Sequence, residues 1–119
     1  MNEIIQDIKV LGRDIKYAIL AVFQRTFRGY ADKDLWGLDY FLAKKILPPL
    51  KAFRKQKLSS YPGNEIKTPK EWLKALDKMI YSFEFIIKDG EGDVKYPKDR
   101  TKITEGLELF GKYFRALWD

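Results

Sequence analysis

Apolar residues along this chain return at intervals of three and four. Nowhere do they alternate with polar ones long enough to line one face of a substantial strand. That period predicts an all-α fold of about four helices in a compact, bundle-like domain, with residues 94–96 the one stretch that admits a short strand. The first helix is expected over residues 2–24, with Ile4, Ile8, Leu11, Ile15, Ile19 and Val22 on one stripe. Gly12 weakens it by about 1 kcal/mol relative to alanine. Tyr17 and Leu20 point away from the stripe, so the later half is apolar nearly all round and is expected to be central or to touch a partner.

The second helix opens near Asp32 or Asp34, either of which can serve as N-cap, and carries Leu35, Leu38, Leu42, Ile46, Leu50 and Phe53 on its stripe. Its register runs through Pro48 and Pro49, which predicts a kinked helix or two helices nearly end to end. A connection follows over residues 58–67. The third helix has the clearest start: Thr68 as N-cap, Pro69 at the first position and Glu71 completing a capping box. Trp72, Leu76, Met79, Ile80, Phe83, Ile86 and Ile87 form its buried face, and Asp89-Gly90 begins its end. A last helix over roughly residues 99–118 buries Ile103, Leu107, Phe110, Phe114 and Leu117, with Gly111 on the same face as a point of close helix approach.

With 119 residues, the chain has room for a single helical domain spanning residues 1–119, and 45% apolar residues are enough to give it a core. The absence of cysteine and histidine removes thiol nucleophiles, disulfides, Cys/His metal sites and every histidine-based acid–base pair. Asp89, Glu91 and Asp93 imitate a calcium loop, but Val94 and Arg100 stand where that loop needs glycine and glutamate. Neither a P-loop nor a dinucleotide glycine fingerprint is present. The chain is therefore read as a non-enzyme with no cofactor and no metal, carboxylate-only chemistry being the one catalytic route left open. The longest apolar run, residues 17–23, is too short for a membrane span, and Met1-Asn2-Glu3 is not the basic start of a signal peptide. A cytoplasmic protein without membrane contact is expected.

Twenty-three Lys and Arg against 17 Asp and Glu leave a charge of +6, and six of those cations fall between Tyr40 and Asn64, where no acid occurs. Lys44, Lys51 and Lys55 lie nearly opposite the apolar stripe, with Arg54 beside them. They form either a phosphate-facing ridge or a solvated lysine face. Tyr81 and Phe85 sit four residues apart on the back of the third helix, with Lys78 close by. They can stack on a base, anchor a protein, or be covered by another helix or a second copy. Asp39 projects into an apolar stripe. It is expected to be buried and paired, and its reading as a general base lacks a second catalytic group.

Three motifs occur in order: Trp36-Gly37-Leu38-Asp39, Glu71-Trp72 with Leu76-Asp77-Lys78-Met79-Ile80, and the closing Gly106-Leu107-Glu108-Leu109-Phe110-Gly111-Lys112-Tyr113-Phe114 with Leu117-Trp118-Asp119. With Arg28-Gly29-Tyr30 and Leu47-Pro48-Pro49-Leu50-Lys51 they resemble a widespread family of small tailed-bacteriophage proteins. The match covers residues 28–119 and leaves residues 1–27 as a helix of this branch. The resemblance implies a phage origin and a host bacterial cytoplasm. Trp36, Asp39, Trp72, Asp77 and Trp118 stand at motif positions, as members of a polar–aromatic network or of a ligand pocket. Small phage proteins of this size often disable host defence.

The expectation is an oligomeric binding protein that takes an anionic ligand, a nucleotide signal first, through Arg28, Lys44, Lys51, Arg54, Lys55, Lys78, Tyr81 and Phe85. The alternatives are an inhibitor that binds a host defence protein and a nucleic-acid-binding accessory factor.

Overall fold

The computed structural model describes residues 2–56, 61–63, 65–92 and 100–118. The candidate strand at 94–96 and the Ser59-Ser60 part of the connection lie outside them, as does Lys57. The fold is all-α: α1 (Asn2–Arg28), α2 (Leu38–Lys55), α3 (Pro69–Gly90) and α4 (Thr101–Lys112), with 3-10 turns at Asp32–Leu35 and Phe114–Ala116. No strand occurs among the described residues, although Gly63 and Ile66 form an isolated bridge. The chain divides into two compact units, Met1–Leu38 and Asp39–Asp119.

In the first unit α1 extends four residues past its expected end and stops at Gly29, whose φ of +88° suits a residue without a side chain. The chain then folds back as a 3-10 turn on the last turns of α1. Neither Asp32 nor Asp34 is the N-cap. Ala31 takes that position, and the Asp34 carboxylate reaches back to accept its N–H at 2.8 Å. The same carboxylate accepts two bonds from Arg25, Nε at 3.0 Å and the terminal nitrogen at 2.7 Å. Gln24 and Asp32 add a reciprocal pair, side chain to side chain at 3.1 Å and backbone N–H to side chain at 3.0 Å. Only Ala21 of α1 is buried, so the later half, expected to be central or to touch a partner, is not central within the chain, and the apolar stripe stands exposed along the helix.

The second unit is built around α3, which contributes Trp72, Ala75, Leu76, Met79, Ser82 and Phe83 to the interior. Its N-cap is Thr68 as expected, but only half of the capping box forms: the Glu71 N–H donates to Thr68 Oγ1 at 3.1 Å, whereas the Glu71 carboxylate accepts the N–H of Lys67, one residue before the cap, at 2.8 Å. α2 runs antiparallel to α3, as the cross-links order themselves: Tyr40 Oη donates to Glu91 at 3.2 Å, Lys51 meets Glu84 at 3.0 Å, and Arg54 meets Asp77 at 2.8 Å. α4 is antiparallel in turn, with Ser82 Oγ donating to the Ile103 carbonyl at 2.8 Å and Trp72 edge-on to Tyr113 at 5.8 Å.

Four expectations are refined here. First, of the two alternatives at Pro48 and Pro49, a kinked helix or two helices end to end, the chain takes a single helix. Each proline removes the N–H that would reach the carbonyl four residues back, at Lys44 and Lys45, but both prolines face solvent, where water can replace the bond. Second, α2 buries Ala43 and Leu50 and packs the half-buried Ile46, Leu47 and Phe53 against the core, so Ile46, Leu50 and Phe53 of the expected stripe hold while Leu35, Leu38 and Leu42 are exposed. Third, α4 ends at Lys112, and the chain tightens into the 3-10 turn, which leaves Phe114 exposed and Tyr113 buried; Leu107, inside α4, is exposed as well. Fourth, the close approach is at Gly106, not Gly111. A Cβ built on Gly106 would overlap Ser82 Oγ and the Lys78 carbonyl oxygen, whereas one on Gly111 meets nothing within 4 Å.

Candidate functional site

The end of α4 and the turn after it converge on the start of α3. Trp72 is fixed in the first turns of α3 by burial, and Tyr113 packs edge-on against it where α4 gives way to the 3-10 turn. That turn swings Arg115 and Ala116 to the same side. Trp118 follows, with its backbone N–H on the Ala116 carbonyl at 2.9 Å. Tyr61 and Pro62 line the same opening. Between them lies an open cleft of about 580 Å³, lined also by Lys112, within the size range of small-molecule sites.

The cleft combines flat apolar faces with positive charge. Trp72 is only 1% exposed, so its ring is part of the floor, while Trp118, 71% exposed, stands free at the rim. Lys112 holds Glu65 at 2.6 Å, and this hydrogen bond keeps the Glu65 carboxyl below and the Lys112 ammonium above their ordinary ranges. An ammonium has three donors, so one carboxylate leaves others to spend on a ligand. Arg115 is exposed and makes no ion pair among the described residues. Tyr61 adds a hydroxyl-bearing ring to the lining. Chemically, such a set can stack on a ring and offset anionic charge. No group of three or more His, Cys, Asp or Glu able to hold a metal occurs among the described residues.

The residues chosen from the sequence are distributed differently. Arg28 is paired with Asp32 and donates to the Tyr30 carbonyl at 3.0 Å. Lys51 is paired with Glu84, Arg54 with Asp77, and Lys78 with Glu105 at 2.6 Å. Lys44 lies over the Tyr40 ring at 4.6 Å, and Lys55 is exposed without an ion pair among the described residues. Tyr81 is exposed and Phe85 half-buried. The stretch free of acids in sequence is thus not free of them in space, because α3 lays Asp77 and Glu84 alongside it.

Of the five motif residues, Trp72 and Trp118 meet in the cleft. Asp77 serves the Arg54 pair, and Trp36, 92% exposed, lines an apolar hollow of the first unit with Tyr17 and Leu20. Asp39 is corrected. It is exposed in the first turn of α2, since the helix begins at Leu38 and Ala43 takes the buried place. At a helix N-terminus its charge is favourable without a buried partner. The buried carboxylate is Asp34, 8% exposed, held by Arg25 and the Ala31 N–H.

Sequence reasoning passed over Lys112, Tyr113, Arg115 and Tyr61. The first two stand in the closing motif, whose aromatic–basic alternation was the available signal. Tyr61 carried none. No helix among the described residues is long and apolar enough to cross a membrane. The chain matches no family model, no curated protein and no solved structure.

Proposed function

We propose that this protein is a non-enzymatic binding protein that holds an anionic, ring-bearing small molecule, a nucleotide in the first instance, in the cleft between the start of α3 and the chain's closing turn. The observation that carries the reading is the assembly of Trp72, Tyr113, Trp118 and Tyr61 around one opening flanked by Lys112 and Arg115. The exposed rings of Trp118 and Tyr61 offer faces to a base, and the two cations answer its phosphates. On the resemblance to tailed-phage proteins, such capture in a host cell would take a signalling nucleotide out of circulation and so blunt a host defence.

A small ligand suits the charge pattern better than a nucleic-acid backbone. A backbone needs a row of unpaired cations, and along α2 Lys51 and Arg54 already face Glu84 and Asp77.

Calorimetry of the full chain against a panel of mono-, di- and cyclic nucleotides tests this, with tryptophan fluorescence as a second readout. Binding with quenched fluorescence is expected. Trp118→Ala should weaken it by about 5- to 140-fold, the value of one stacked base. Arg115→Ala should weaken it by about tenfold or more, as loss of a charge-assisted bond does. Neither residue is in the core, so both variants should keep the helical signal of the parent. Absence of heat and of fluorescence change across the panel would sink the reading.

A further inference from the structure

Along α1 the residues Ile4, Ile8, Leu11, Ile15, Ile19 and Val22 are each more than half exposed, as are Phe23 and Phe27, whose rings lie 4.4 Å apart. The helix is 27 residues long, about 40 Å at the usual rise. Ile4, Ile8, Leu11, Ile15, Ala18 and Val22 alternate intervals of four and three, the seven-residue repeat of a helix seam. Ile5 and Ile19 widen that seam on one side, and near its C-terminal end an apolar hollow of about 400 Å³ opens between Ala18, Val22, Phe23 and Phe27.

The charges beside the seam identify its occupant. Asp7 and Asp14 lie one repeat apart on one flank, and Lys9 and Lys16, also one repeat apart, lie beyond Ile5 and Ile19 on the other. In a parallel ring of identical helices each acidic flank faces the basic flank of its neighbour. In a two-fold antiparallel pair each flank would meet its own copy, acid against acid. The breadth of the seam calls for neighbours on two sides, not one. A membrane surface fits less well, since interfacial helices border their apolar face with cations, and here one border is acidic. From these observations we propose that α1 assembles with copies of itself into a parallel, cyclic bundle of at least three chains.

Sedimentation equilibrium of the full chain should give at least three times the chain mass, and Ile15→Asp should return it to one. Asp7→Lys with Asp14→Lys should also shift the distribution toward the monomer. Adding Lys9→Glu and Lys16→Glu should restore the oligomer, because the flanks are then complementary in the opposite sense. That rescue distinguishes a lost interface from a damaged helix. The chain has no cysteine, so Ile4→Cys alone reports orientation: mild oxidation should join copies of this variant to one another through the introduced thiols. A monomeric parent at tens of micromolar overturns the proposal. So does cross-linking only between Ile4→Cys and Val22→Cys chains, or recovery of α1 on anionic vesicles with no self-association in their absence.

Discussion

Asp34 shows how much one side chain can organise. Its carboxylate accepts two bonds from Arg25 and one from the Ala31 N–H, and so ties the 3-10 turn to the last turns of α1. The Arg25 hydrogen bond, aided by the Ala31 N–H, lowers its pKa from the ordinary 3.8 to about 2. A carboxyl depressed in the folded state stabilises fully above its unfolded value and loses that contribution as pH falls through the folded one. The turn should therefore hold at pH 4 and loosen as pH approaches 2. Followed by NMR, the Ala31 amide should shift with a midpoint near 2 rather than near 4, and Asp34→Asn should abolish that titration. A midpoint at the ordinary value would mean that Arg25 does not hold the carboxylate. From the sequence, Asp39 was the carboxylate expected to need a partner, because its neighbours on a helical projection are leucines. Asp34 was legible only as a cap, since nothing in a linear reading places Arg25 nine residues back against it.

At the scale of elements, α3 was the most legible and α4 the least. The start of α3 is local chemistry: Thr68 Oγ1 accepts the Glu71 N–H three residues on, and Pro69 at the first position has no N–H to satisfy. Its buried stripe followed from period alone. For α4 the period was right and the detail wrong, because the position where two backbones touch depends on the partner helix. Gly106 meets Ser82, itself fully buried with its hydroxyl on the Ile103 carbonyl. Gly106→Ala should accordingly destabilise by roughly 3 kcal/mol, the upper end of the overpacking range, since one of the atoms in the way is backbone and cannot rotate aside. Gly111→Ala meets open space and should stabilise by up to about 1 kcal/mol through helix propensity. Paired denaturant titrations decide it, and equal effects at the two glycines would contradict this packing.

For the whole molecule, stability and surface charge are set in the same place, the three-helix second unit. Leu76 and Met79 are fully buried in its cluster with Trp72, Phe83, Leu50 and Tyr113. Leu76→Ala should cost about 2–5 kcal/mol, as cavity-forming substitutions in cores do. A loss below about 1 kcal/mol on chemical denaturation would mean that this cluster is not the core. The same antiparallel order that builds the cluster also brings α3's Asp77 and Glu84 to α2's Arg54 and Lys51. Lys51 and Arg54 of the acid-free stretch are therefore paired, not free, while Lys44 lies over the Tyr40 ring and Lys55 keeps no ion pair among the described residues.

The all-helical class, the Thr68 N-cap of α3, the amphipathic period of α1 and the lack of any histidine- or cysteine-based chemistry belong to the sequence by itself. Each depends on residue identity or on spacing within a few residues. Three matters were decided only by tertiary structure: which carboxylate answers which cation, which glycine lies between two helices, and which aromatics share a cleft. These depend on distances between residues far apart in the chain, such as Arg54 with Asp77 or Trp72 with Tyr113. Those distances follow from how helices rotate and approach to bury their apolar faces, which no local period specifies.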